Sequence, residues 1–289
     1  MKLTFKTQDD HADVTFNQLL GINNAGEIAG YFGNGQTRPN KGYVLKPPYA
    51  QADYTNENFI GSTQTQVTGV NNHGVTVGFW VDGTGDNYGF VKDGSQWITA
   101  IDPHAPAPTA TAPVMEQFLG INDHNIAVGF YADAKGHDHG FTYDVKTGSF
   151  DAVSIKGFSQ STAAAINNKG EIAGFVSNGG NDDGFIKNGN KIELLTGPTG
   201  AVSVQALGIN NEGEVVGSYE DKTKATFGFL YNEHTGQYTT ISDPNTPVNA
   251  GPATMTVING LNDKGQLVGF YLDSGGITEG LIATLSAHK

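Results

Sequence analysis

Gly208-Ile209-Asn210-Asn211-Glu212-Gly213-Glu214-Val215-Val216-Gly217 is the fifth of six copies of one pattern, and its recurrence decides the fold. A small-residue strand runs into Asn-Asn, a glycine follows, then a branched-aliphatic pair, a second glycine and aromatics. The other copies begin at Gly21, Gly69, Gly120, Ala165 and Gly260. Their first asparagines are Asn23, Asn71, Asn122, Asn167, Asn210 and Asn262, so successive copies lie 48, 51, 45, 43 and 52 residues apart. A period of about 43 to 52 residues suits a four-stranded unit.

The fifth copy parses into four short strands: Ser203 to Asn210 (A), Glu214 to Tyr219 (B), Phe227 to Tyr231 (C) and Gln237 to Ile241 (D). Each is rich in β-branched and aromatic residues and bounded by turn residues, and no stretch holds a helical period over three turns. Asn-Asn-x-Gly between A and B reads as a tight hairpin in which Asn and Gly supply positive φ. The chain ends are complementary. Leu3 to Gln8 reads as a strand D with nothing before it, and the last unit stops after its strand C at Gly280 to Thr284. Pairing them closes a ring and removes both sheet edges.

The expectation is an all-β, six-bladed β-propeller of four-stranded blades, the last closed by the N-terminal strand. A parallel β-helix or two-sheet sandwich would explain the sixfold repeat less well. The blades run over about 14–62, 63–103, 114–157, 159–198, 202–244 and 255–284 plus 3–9, leaving 1–289 as a single domain.

The core Gly-Ile-Asn-Asn-x-Gly-x-Ile-x-Gly-Phe/Tyr, followed by a polar turn and His139-Gly140-Phe141, resembles the HAF repeat, an extracellular repeat named for a His-Ala-Phe-type tripeptide. Only the third unit carries the histidine; the others have Lys41, Tyr88, Asp183, Phe227 and Glu279 at that place. The resemblance spans nearly the whole chain and implies a propeller, with little implication for activity. The architecture is also similar in general to fungal hetero-Diels-Alderase cyclases, with no motif matched residue by residue.

Composition narrows the partners. Asp and Glu number 29 against 16 Lys and Arg, a formal charge of −13, and Arg38 is the single arginine. Phosphate backbones would be repelled, so nucleic acid is not an expected partner. There is no cysteine, hence no disulfide framework and no thiolate chemistry. No apolar run approaches the roughly 20 residues that span a bilayer. The expected protein is a soluble monomer, cytoplasmic as written or exported if a leader has been removed, with no cofactor and a neutral small molecule or glycan as partner.

With strand A innermost, the A–B and C–D turns share one face, and the B–C turns and D-to-A crossings share the other. The crossings vary most, which favours that face for function. Two are long and proline-rich, Asp102 to Val114 and Asp243 to Met255, and lie opposite each other as two possible lids. Gln18, Gln66, Gln117 and Gln205 stand three residues before their strand-A glycines, where amides could ring the channel or satisfy neighbouring backbone. Trp80, Tyr131, Tyr219 and Tyr271 recur two residues past the strand-B glycine, suited to stacking on a ligand or filling the inter-blade core.

Glu116 replaces the neutral Asn17, Thr65, Ser161, Val204 and Thr256 found at its place in other units. With His104 of the long crossing it is the candidate acid or base, the alternative being a solvated rim charge. His137-Asp138-His139 with Asp133 is the one metal-like cluster, but its glycine marks a hairpin turn, so no metal site is expected. Two function classes follow: a ligand-binding propeller with an aromatic and amide-lined pocket on the crossing face, or a cofactor-free cyclase holding a reactive conformer in a deep apolar cavity. A protein-interaction propeller is a third.

Overall fold

A computed structural model describes residues 3–109 and 113–285. It contains six four-stranded antiparallel sheets, five of them in the order of the chain from the inner strand outward. Blade one is Asn17–Ile22, Ile28–Phe32, Lys41–Leu45 and Tyr54–Asn56; blade three is Glu116–Ile121, Ile126–Ala132, Asp138–Asp144 and Ser149–Val153. In blade five the strands are Ala201–Ile209, Glu214–Asp221, Thr226–Asn232 and Gln237–Ile241. Blade six joins Thr256–Leu261, Gln266–Leu272 and Thr278–Leu285 to the N-terminal strand Leu3–Thr7, in register from Leu3 opposite Leu285 to Thr7 opposite Leu281. The ring closes by this pairing, and the edges that remain are the short outer strands of the blades.

The repeated residues are packing devices. The aromatic of the strand-C tripeptide is fully buried in five blades, as Tyr43, Phe90, Phe141, Phe185 and Phe229, with Leu281 in the sixth. The glycine before it makes room for the next blade: a Cβ on Gly89 would sit 2.7 Å from the Phe118 ring, and one on Gly228 2.7 Å from Ile258. Every inner strand carries a register shift just before its glycine or alanine. There the blades meet around the axis, and a Cβ on Gly21 would lie 2.9 Å from the Gly69 Cα. Only the smallest residues allow that approach.

The asparagines do a different job from the one their hairpin position suggests. Positive φ falls on the fourth turn residue alone, at Gly26, Gly74, Gly170, Gly213, Gly265 and, in blade three, Asn125. Each first asparagine instead folds its own turn, its Oδ1 accepting two backbone N–H groups, as Asn23 does from Ala25 and Glu27. Its Nδ2 donates to the carbonyl of the equivalent asparagine in the next blade, at 2.9–3.3 Å, six times round to Asn262 on Asn23. A second closed ring runs through the following residues, each backbone N–H donating to the next Oδ1 at 2.7–2.9 Å. That ring holds two carboxylates, Asp123 and Asp263, and each accepts amides from two flanking asparagines. Burial works to raise both carboxyls, but the asparagine donors hold them below the usual range.

Candidate binding site

Two small spaces lie on the axis, about 70 Å³ within the asparagine rings and about 90 Å³ beside the inner-strand glycines. The side chains framing the first are spent on the two rings, so few directional groups are left for a ligand.

The crossing face is organised differently. Ladder pairing sets Glu116 opposite Tyr131, and Tyr131 opposite His139, so the three stand abreast on one side of blade three. The corresponding rows are Thr65, Trp80 and Tyr88 in blade two, Val204, Tyr219 and Phe227 in blade five, and Thr256, Tyr271 and Glu279 in blade six. The lone carboxylate, the recurrent aromatic and the tripeptide histidine thus belong to one structural position, a connection hidden in the sequence by the loops between them.

Most rows are closed. Trp80 stacks on Phe59 at 4.3 Å and tilts against Tyr88 at 4.8 Å. Tyr219 is buried, lies against Phe227 at 5.4 Å and shares a hydrogen bond with Thr240. Tyr271 is buried and bonded to the Thr7 hydroxyl at 2.7 Å. Tyr131 differs from Tyr219 and Tyr271: it stacks on His139 at 5.2 Å, and its hydroxyl, like that of Tyr88 in blade two, has no hydrogen-bond partner among the described residues.

A pocket of about 90 Å³ opens beside it, where the crossing from blade two passes over blade three. Asp102 and His104 form one wall, Tyr131 and His139 another, and Phe150 and Ala152 contribute apolar surface. The His104 N–H and its Nδ1 both meet Asp102 Oδ1, at 2.8 and 2.9 Å. His139 Nε2 lies 3.1 Å from Asp133 Oδ2, and the His137 ring approaches the same oxygen at 3.7 Å. The His137 backbone N–H and the His139 ring hold the Asp133 carboxyl well below the usual carboxylate range. No set of three or more His, Cys, Asp or Glu is placed to hold a metal among the described residues.

Glu116 sits behind this wall, fully buried. Its Oε2 accepts the Asp102 N–H at 2.8 Å, while Oε1 has no partner among the described residues. Burial, reinforced by the nearby Asp102 charge and only partly offset by that hydrogen bond, pushes the Glu116 carboxyl up to about 8. Burial and the Asp102, Asp133 and Glu116 charges also push the Tyr131 hydroxyl upward.

The predicted residues therefore divide. Glu116, His104 and Tyr131 come together; the four glutamines do not. Strand alternation turns Gln117 away from the side that carries Glu116. Gln18 accepts the Tyr31 hydroxyl at 2.9 Å within blade one, while Gln66 donates to Asn40 of the preceding blade at 3.0 Å and Gln205 to Asp182 of the preceding blade at 2.6 Å, so these amides tie blades together. Asp102 escaped notice because an Asp-Pro pair reads as a turn; its pairing with Glu116 depends on contact across 14 residues. The lid expected of the Asp102 to Val114 crossing extends through 110–112, outside the described residues.

No protein-family model and no curated protein matches the chain. Solved structures do. A putative TolB from Agrobacterium tumefaciens is similar with a TM-score of 0.62 and 10% identity, over 99% of each chain. TolB from Acinetobacter baumannii gives 0.59 and 12%, over 84% of this chain; the present chain spans 63% of that one. Aleuria aurantia lectin, solved in complex with Fucalpha1-6GlcNAc, gives 0.54 and 13%, over 95% of this chain and 97% of the lectin. At such identities the likeness is one of fold, and that fold is the six-bladed propeller. No helix among the described residues is long and apolar enough to cross a membrane.

Proposed function

We propose that this protein is a carbohydrate-binding propeller, and that its ligand enters the pocket beneath the crossing from blade two to blade three. One observation carries the reading: of six equivalent rows, the one in blade three keeps an aromatic with an unspent hydroxyl beside a pocket that also exposes Asp102, His104 and His139. Saccharides ask for that combination, an apolar ring face for their C–H surface and directional donors and acceptors for their hydroxyls. Fucose-bound lectins among the similar propellers support the class at the level of fold.

The alternative, a cyclase, asks for a deep apolar cavity. A pocket of about 90 Å³ bordered by carboxylates and imidazoles favours binding of a polar group instead. We also propose that the chain is a divergent HAF-repeat propeller, on the strength of the tripeptide and the Asn-Asn-x-Gly turns.

A thermal-shift panel of fucosides, galactosides and glucosides, neutral and amine-bearing, tests the reading with wild type and Tyr131→Phe. A ligand at about a hundredfold over its Kd should stabilise wild type by about 2.7 kcal/mol, and the variant less. Absence of a shift with every saccharide would overturn it.

A further inference from the structure

The last blade differs from the others in how its outer strand is held. In blades one to five the outer strand follows its neighbour through a C–D turn, so the chain itself keeps the two together. In blade six the outer strand is Leu3–Thr7, which comes from the opposite end of the chain. It stays in place through its ladder, the packing of Leu3 and Phe5, and a hydrogen bond shared by Thr7 and Tyr271.

Past Thr7 the backbone pairing runs for one more bond, the Gln8 N–H donating to the Gly280 carbonyl at 2.8 Å. A side chain makes the next link: Asp9 Oδ1 accepts the Gly280 N–H at 2.8 Å. That bond carries the Asp9 carboxyl up to the residue beside Glu279, and the two carboxyl groups hydrogen-bond each other. A carboxylate has no hydrogen to donate, so this contact exists only while the pair holds a proton.

The surroundings supply no substitute for that proton. In blade three the corresponding places carry Asp133 and His139, which bond each other; in blade six they carry Asp273 and Glu279, two acids. Asp273 Oδ1 is taken by the Gly275 and Ile277 N–H groups of its own turn, and Asp10 Oδ1 by the Ala12 N–H. Lys6, His11 and Tyr49 line the open groove of about 460 Å³ onto which the pair faces, and Lys6 lies over the Tyr49 ring at 5.6 Å. Neither Lys6 nor His11 forms an ion pair with Asp9 or Glu279 among the described residues. Burial, then the contact with Asp9 and the charges of Asp9 and Asp273, push the Glu279 carboxyl up to about 8.

We propose that one proton shared by Asp9 and Glu279 latches the closing strand onto blade six, and that its loss to solvent frees the end of that strand nearest Asp9. Ionisation replaces a hydrogen bond with two adjacent carboxylates, and their repulsion falls on the one seam that no C–D turn secures. The latched state binds the extra proton, so the latch is shut at acid and neutral pH and opens as pH rises through the titration of the pair.

Hydrogen exchange of the intact protein tests this, read by mass spectrometry at about pH 6.5 and 9.5 and corrected for the intrinsic pH dependence of exchange. Leu3–Thr7 is compared with Gln237–Ile241, the outer strand of blade five. The closing strand should open about tenfold more at the higher pH, with Gln237–Ile241 constant to within about twofold. In Glu279→Gln the new amide donates to Asp9 with no proton to lose. In Asp9→Asn the amide donates to Glu279 while its oxygen still serves the Gly280 N–H. Each variant should hold the closing strand equally well at both pH values, and if one fails to fold the other decides. Wild-type opening that ignores pH, or that rises equally in both outer strands, would overturn the latch. A rise that persists in either variant would overturn it too.

Discussion

The two faces of the ring differ in how they spend polar groups. On the A–B turn face, six asparagines and their six successors form two closed hydrogen-bonded rings, and both embedded aspartates are fully engaged. On the crossing face lie the buried carboxyl oxygens with no partner among the described residues, on Asp13, Glu116 and Asp243. The turn face repeats because its geometry must be nearly the same in every blade for the rings to close. The crossing face is free to diverge, and its orphaned oxygens mark where stability has been given up. Glu116 differs from the other two in having both a row aromatic with a free hydroxyl and a pocket beside it.

The largest expected effect sharpens this contrast through pH. The folded-state titration of Glu116 lies near 8, above the 4.5 of an ordinary glutamate, so the folded protein binds more protons than the unfolded chain between those values. Stability is therefore full at low pH and falls as pH rises through that window, by an amount of order 3 to 4 kcal/mol for this group alone. Denaturant melts of wild type and Glu116→Thr at about pH 5 and 9 should show the slope reduced in the variant, the remainder coming from Glu279, which burial and Asp9 raise, and from Asp138, Asp182, Glu233 and Asp243, which burial also raises. An unchanged slope would refute the burial account of Glu116.

On the other face, Asn167→Ala deletes donors to Glu171 and to the Asn210 carbonyl and an acceptor for two backbone N–H groups. The expected loss is about 3 kcal/mol in a chemical melt, with saccharide binding intact in the surviving folded fraction. A loss below about 1 kcal/mol would mean that the rings decorate the closure without holding it.

Tyr131→Phe removes only the free hydroxyl. It should leave the melt within about 0.5 kcal/mol of wild type and weaken saccharide binding by about three- to tenfold in calorimetry. His104 is 78% exposed at its side chain, and its contact with Asp102 lies at the surface. His104→Ala should shift stability by less than about 0.5 kcal/mol and binding by only a few-fold. A larger stability loss at either position would place it with the packing residues of the opposite face.

Much of the fold was legible because its signals are local. Strand lengths, turn glycines and the spare strand at each end depend on short stretches, and the structure reproduces them, including the register of Leu3–Thr7 on Thr278–Leu285. The site was legible only in part. Glu116, His104 and Tyr131 could be singled out as departures from the repeat, but their meeting through Asp102 depends on how one crossing lies over one blade. Gln18, Gln66, Gln117 and Gln205 look like a set because they share a repeat position. A ring separates such residues into six sectors, and strand alternation turns them away from the row that forms the pocket.

The sequence alone determined the number of blades, their strand order and the closure at the termini, because period, alternation and turn chemistry act over a few residues at a time. Only the tertiary structure decided that the asparagines lock the ring rather than merely shape hairpins, and that one buried oxygen each of Asp13, Glu116 and Asp243 is left without a partner among the described residues. Both outcomes are set by contacts between blades, where groups some 45 residues or more apart compete for the same hydrogen bonds.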